Sequence, residues 1–218
     1  MNVSPGPRYE IASPAAWDFI ESTGAALAAA AEARVVVFGT LAQRQPVSRR
    51  TIRALVETAR TAGAPVLCDL NLRAPFFDEE TLLWSLRHCD VLKLNREELD
   101  VVSGFLGAAG VSEDLFAGLL REFGIPCGVL TEGSEGALVW ERGEVSRHEA
   151  EAVPGVVDTV GAGDAFSAVL AAAMARGISL SKAAAPAAAL AAHVVSRRGA
   201  TPEIPRELAA RVNALLGA

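Results

Sequence analysis

The sequence predicts an α/β protein: a parallel sheet of βαβ units with helices on both faces. Three observations predict it. Short continuous apolar runs recur along the chain, as in strands buried on both sides. Helix-forming stretches of about ten residues or more separate them. Ser, Asp or Asn tends to open those stretches and Gly to close them. Runs and helices in alternation imply parallel strands joined by crossovers.

Residues 1–13 are Pro-rich and irregular, with one short extended candidate, Arg8-Tyr9-Glu10-Ile11. Ser13-Pro14 reads as a helix cap with Pro in the first turn, predicting a helix from about Ala15 to Ala33. Val35-Val36-Val37-Phe38, ending at Gly39, reads as a buried strand. Ser48 opens a helix to about Ala62, closed by Gly63. Pro65 to Leu70 is the second strand, and Asp78 caps a helix to about His88. Asp90 to Leu94 is the third strand, and Asn95 starts the next helix. Ser112 to Gly124 is helical, and Cys127 to Thr131 is the fourth strand. The pattern then changes. Ala137–Glu141, Arg142-Gly143 and Glu144–His148 read as an antiparallel hairpin at one side of the sheet. Helices follow over about 162–176 and 180–196, then from about Pro205 to Leu216. No internal repeat or linker divides the chain, so one domain over 1–218 is expected.

With 51% apolar residues, a chain of this length can bury a sizeable core. The formal net charge of −6 argues against a general binder of nucleic acid or anionic membrane. Cys68, Cys89 and Cys127 show no metal spacing and read as reduced thiols of a cytoplasmic protein. No apolar run is long enough to span a bilayer, and the start of the chain does not read as a secretory signal.

Asp158-Thr159-Val160-Gly161-Ala162-Gly163-Asp164 carries the chemistry. A Gly-Ala-Gly turn opening into a helix points unpaired N–H groups and the positive end of the helix dipole at an anion. Asp164 puts a carboxylate beside that site, as a base for a hydroxyl attacking a phosphate would require. The same residues also suit a plain helix start. A dinucleotide fingerprint does not fit, because Phe166 stands where its third glycine belongs. No Gly-Lys-Ser/Thr phosphate loop, His-Glu-x-x-His or Gly-x-Ser-x-Gly occurs.

Ligands of open parallel sheets sit beyond the carboxyl ends of the strands. There the sequence places Gly39-Thr40, Asp69 to Arg73, Asn95 to Glu98 and Thr131 to Gly136. Strand alternation puts Asp69, Asn71 and Arg73 on one side, as a salt bridge or an anion clamp. Asn95 and Glu98 have the spacing of a capping box. Thr131-Glu132-Gly133-Ser134-Glu135-Gly136 reads as a loop into the hairpin.

The string Asp-Thr-x-Gly-Ala-Gly-Asp resembles the second signature of the ribokinase-like (phosphofructokinase-B type) carbohydrate kinases. Asp69-Leu70-Asn71-Leu72-Arg73 and Phe38-Gly39-Thr40 resemble the fructokinase and 2-keto-3-deoxygluconate kinase branch. The resemblance implies a ribokinase-like fold and ATP-dependent phosphorylation of a small sugar. It makes Asp164 the base, the amides of Gly161, Ala162 and Gly163 the anion hole, and Arg73 a phosphate-facing residue. It assigns Asp69, Lys93, Asn95, Thr131, Gly133 and Gly136 to the nucleotide, and Glu98 to Mg²⁺ through water. It also suggests a monovalent-cation site near Asp158 and Gly199.

The resemblance runs from Arg8 to about Pro205. Nothing here is similar to the family's first strands, its sugar-gripping Asp and Gly-Gly segment, or most of its lid. The chain is therefore expected to be a fragment, a mis-started reading frame or a natural truncation. Its first parallel strands are expected to lie at an unpaired edge and to favour a homo-oligomer. Two functions follow: an ATP-dependent sugar kinase, active in its complete form, or a non-catalytic nucleotide-binding or structural remnant of one; the chain by itself is expected to keep at most weak Mg·ATP binding and to bind no sugar.

Overall fold

The computed structural model describes residues 10–153 and 155–217. Six strands form one sheet in chain order: β1 (Val36–Phe38), β2 (Val66–Asp69), β3 (Val91–Asn95), β4 (Cys127–Thr131), β5 (Ala137–Glu141) and β6 (Glu144–His148). β1 to β4 are parallel, and β5 and β6 are antiparallel. The parallel sheet and the hairpin are those the apolar runs predict.

Crossovers of a single hand place the intervening helices on one face of the sheet. These are α2 (Pro46–Thr61), α3 (Glu79–Arg87), α4 (Arg96–Leu106) and α5 (Ser112–Phe123). Val56, Leu82, Leu99 and Phe116 from these helices pack on Cys68, Leu92 and Leu130 of the sheet. The opposite face is covered by α6 (Ala162–Met174) and α7 (Leu180–Val195), with α8 (Arg206–Leu216) against them. Strand alternation divides the residues between these cores. Leu67 of β2 and Val91 of β3 face α6 and α7. Asp69 and Lys93, two residues further along each strand, face the same way.

The sequence differs from the fold at its start. The long helix predicted over 15–33 is a 3-10 turn, Ala16–Asp18, followed by α1 (Gly24–Glu32). The cause lies downstream. Asp18 is fully buried, and its carboxylate accepts Arg44 Nε and Nη2, both at 2.7 Å, and the Ala15 N–H. That pairing pins the turn. Ile20 N–H then donates to Ser48 Oγ at 2.8 Å, and Thr23 caps α1. Ser48 is thereby diverted from capping, and α2 starts at Pro46, a favoured first helical position. Of the extended candidate at 8–11, Arg8 and Tyr9 lie outside the described residues, and Glu10 and Ile11 are irregular.

The three cysteines are free. Burial pushes the Cys89 thiol up to about 12 and Cys68 well above its usual value, which keeps both unreactive. Among the described residues no helix is long and apolar enough to cross a membrane.

Candidate active site

The carboxyl ends of β1 and β2 and the first three turns of α6 line a cleft of about 510 Å³. Its polar wall is Thr40, Asp69, Asn71, Asp164 and Ser167. Its apolar wall includes Val37, Phe38, Leu41, Ile52 and Ala171. Gly39 is required where β1 enters the cleft, because a Cβ there would lie 2.8 Å from the Asp69 carbonyl.

The turn before α6 takes the shape expected of it. Gly161 has φ 81°, and a Cβ on it would meet the Ala200 carbonyl at 2.6 Å, so glycine alone fits. Ala162 N–H donates to the Thr159 carbonyl at 3.4 Å. Among the described residues the N–H groups of Gly163 and Asp164 have no backbone acceptor. The Gly161 N–H has none either, so the free donors at the helix start are those of Gly161, Gly163 and Asp164. Asp164 is exposed in the first turn, with its carboxylate on the cleft.

Beneath this turn lies a buried polar cluster. Lys93, 5% exposed, donates to Asp69 Oδ1 at 3.0 Å and Oδ2 at 2.9 Å. Ser167 Oγ donates to Asp69 Oδ2 at 2.5 Å. Lys93 Nζ lies 3.5 Å from where a Gly163 Cβ would stand. Register explains part of this, because Asp69 and Lys93 are direct partners across β2 and β3. Nothing in the sequence flagged Ser167 beyond its helical run. Its signal is spacing: it follows Gly163 by four residues and so lies on the same helix face.

Arg73 does not join the cluster. Alternation ends at Asn71, whose φ of 43° turns the chain out of the strand conformation. Arg73 is exposed, and its side chain makes no hydrogen bond or ion pair among the described residues. The expectation that Asp69, Asn71 and Arg73 share one side holds for the first two, which line the cleft.

Asn95 and Thr131 are register partners at the ends of β3 and β4, on the α6 side of the sheet. Asn95 Oδ1 accepts the Glu98 N–H, and Glu98 Oε2 accepts the Asn95 N–H, both at 2.9 Å. That is a complete capping box. Glu98 Oε1 accepts the Leu72 N–H at 2.7 Å. Burial pushes the Glu98 carboxyl above its ordinary range, against the lowering by those two N–H groups. Both Glu98 oxygens are engaged by backbone N–H groups, so any Mg²⁺ would be reached from this carboxylate through water, as the resemblance implies. Glu98 straps the segment after β2 to the start of α4.

The loop after β4 is built mainly on glycine. Gly136 has φ 102°, and a Cβ there would stand 2.0 Å from the His148 carbonyl. Gly133 has φ 58° in open space. Glu132 is buried between Arg96 and Arg147 and fastens the loop to α4 and β6. Asp158 accepts the N–H groups of Val160 and Gly199, tying the turn before α6 to the segment after α7.

Residues 12–207 match the pfkB family carbohydrate kinase. The chain is 36% identical over 136 residues to a fructokinase of Klebsiella pneumoniae, covering 59% of this chain and 42% of that protein. It is 31% identical over 202 residues to the bifunctional protein HldE of Caulobacter vibrioides, covering 89% of this chain and 40% of that one. Its fold is similar to an aminoimidazole riboside kinase from Salmonella enterica, solved with aminoimidazole riboside and an ATP analog: TM-score 0.71, 27% identity, 84% of this chain and 62% of that one. It is also similar to a fructokinase from Vibrio cholerae O395 bound to fructose, ADP and calcium ion: TM-score 0.67, 26% identity, 84% of this chain and 60% of that one. The chain thus spans less than half the length of these curated relatives.

Proposed function

The chain belongs to the pfkB family of carbohydrate kinases, and from that membership we propose that its cleft transfers a phosphoryl group from ATP to a sugar hydroxyl, with Asp164 as the base. One observation carries this reading. Asp164 lines the cleft from the first turn of α6, beside free helix-start N–H groups and next to Gly163, whose Cβ position lies 3.5 Å from Lys93 Nζ. Asp69, the other carboxylate on the cleft, is held by Lys93 and Ser167, whereas Asp164 makes no side-chain hydrogen bond or ion pair among the described residues.

In this reading the sugar hydroxyl lies against the polar wall. Asp164 takes its proton as the oxygen attacks the γ-phosphorus and the bond to ADP breaks. The amides at the start of α6 and the helix dipole stabilise charge on the moving phosphoryl group. Lys93 adds a positive charge below it. Asn95, Thr131 and the Gly133–Gly136 loop, at the ends of β3 and β4, are assigned to the nucleotide. Arg73 enters only if the segment after Asn71 folds back over the phosphates. The fructokinase relatives make a fructose-like acceptor the substrate class to try first, and the resemblance carried by Asp69 to Arg73 adds a 2-keto-3-deoxygluconate-like one. No step is assigned to a metal. A monovalent cation near Asp158 and Gly199 rests on the resemblance alone, and no step is assigned to it; Asp158 accepts one backbone N–H on each carboxylate oxygen there.

A second reading, nucleotide binding without transfer, is favoured by the apolar wall of the cleft. Val37 is 46% exposed there, and nothing in the chain is similar to the family's sugar-gripping Asp and Gly-Gly segment. Calorimetry with Mg·ATP, followed by an assay of ADP release with and without sugar, separates the two. Sugar-dependent release supports the kinase. Binding without release supports the second reading.

A further inference from the structure

Resting on the kinase reading of the cleft, we propose that Ser167 is a positioning residue for phosphoryl transfer, holding the Lys93 ammonium under the Gly161–Gly163 turn through Asp69. Three elements meet at this point. Ser167 comes from α6, Asp69 from the end of β2 and Lys93 from β3, and both Ser167 and Lys93 are 5% exposed. The contacts form a chain: Ser167 Oγ to Asp69 Oδ2 at 2.5 Å, then both Asp69 oxygens to Lys93 Nζ at 3.0 and 2.9 Å.

The location of the charge makes this more than an ordinary buried ion pair. A helix N-terminus disfavours a nearby cation. Lys93 Nζ nevertheless lies beneath the first turn of α6, 3.5 Å from the position of a Gly163 Cβ. Glycine at 163 leaves the space between ammonium and turn open. With a phosphate at the turn, ammonium, amides and dipole all act on the same negative charge. Without one, Asp69 compensates the ammonium. Ser167 fixes which way Asp69 points. Its hydrogen bond holds Oδ2 toward α6 and Lys93, so the carboxylate is engaged with these two groups and leaves Asp164 as the unengaged carboxylate on the cleft. The serine sits one turn beyond Asp164, so the same helix carries the base and the group that fixes the cation.

The test uses Ser167→Ala, Ser167→Thr and Lys93→Met in the 218-residue protein, with ATP and AMP affinities measured by calorimetry and melting followed alongside. Lys93→Met should weaken ATP by roughly tenfold or more, the weight of a lost charge-assisted contact, with AMP unchanged. Ser167→Ala should weaken ATP severalfold, again sparing AMP, and Ser167→Thr should restore it. A purely structural role would loosen ATP and AMP together. Equal losses for both nucleotides, or no loss of ATP, would overturn the proposal while leaving the kinase reading in place. A wild-type chain that binds no ATP would overturn both.

Discussion

Glu98 reaches from the first turn of α4 to the backbone of Leu72, accepting its N–H at 2.7 Å while its other oxygen accepts the N–H of Asn95 at 2.9 Å. One buried carboxylate thus joins the end of β3 to the segment leaving β2. Its charged form is disfavoured by burial, so its folded pKa lies above the usual 4.5. Above 4.5 the folded state holds more protons than the unfolded state, and stability falls as pH rises toward the folded pKa. Glu98→Gln loses one acceptor, at a cost of about 1 kcal/mol, but has no titration. The melting temperature of the variant relative to wild type should rise from pH 4 to pH 7. The Mg²⁺ dependence of ATP binding should not move. A flat melting difference would remove the buried-carboxylate account, and a weakened Mg²⁺ response would show a metal role through water.

The two glycines of the loop after β4 should respond differently to alanine. At Gly136 a methyl group would overlap the His148 carbonyl, and φ is 102°. Gly136→Ala should cost more than about 3 kcal/mol in urea unfolding, the range of backbone strain and steric overlap combined. Gly133 has φ 58° and open space, so Gly133→Ala should cost only about 1 kcal/mol, the left-handed penalty of one residue. Similar costs at both sites would contradict the packing of β6 against this loop.

Among the described residues β1 is an edge strand, and Val37 on it is 46% exposed. An apolar edge favours pairing with a second copy. Sedimentation should show self-association of the wild-type chain, and Val37→Lys should shift it toward monomer. A monomeric wild-type chain at the same concentration would count against an association through β1.

Much of this was legible in the sequence because it rested on local chemistry. Val66-Leu67-Cys68 and Val91-Leu92 read as buried strands, and they are. The Asn95–Glu98 capping box was readable from spacing alone. What escaped was set by distant partners. The predicted helix over 15–33 was broken by Arg44, which captures Asp18 from 26 residues away. Arg73 was placed with Asp69 by alternation, and the left-handed turn at Asn71 ended that alternation. Ser167 looked like one helix former among many. Its contact with Asp69 spans 98 residues, and only the packing of α6 on the sheet creates it.

The central claim is that Asp164 removes a proton from a sugar hydroxyl. Its direct test is ADP release in the presence and absence of fructose or 2-keto-3-deoxygluconate, comparing wild type with Asp164→Asn, with Mg·ATP affinity measured on both. The account predicts sugar-dependent release by the wild-type chain. It predicts a fall of roughly two to four orders of magnitude in the variant, the usual weight of a general base, with Mg·ATP affinity within a few-fold. No sugar-dependent release by the wild-type chain, or equal release by the variant, would contradict it.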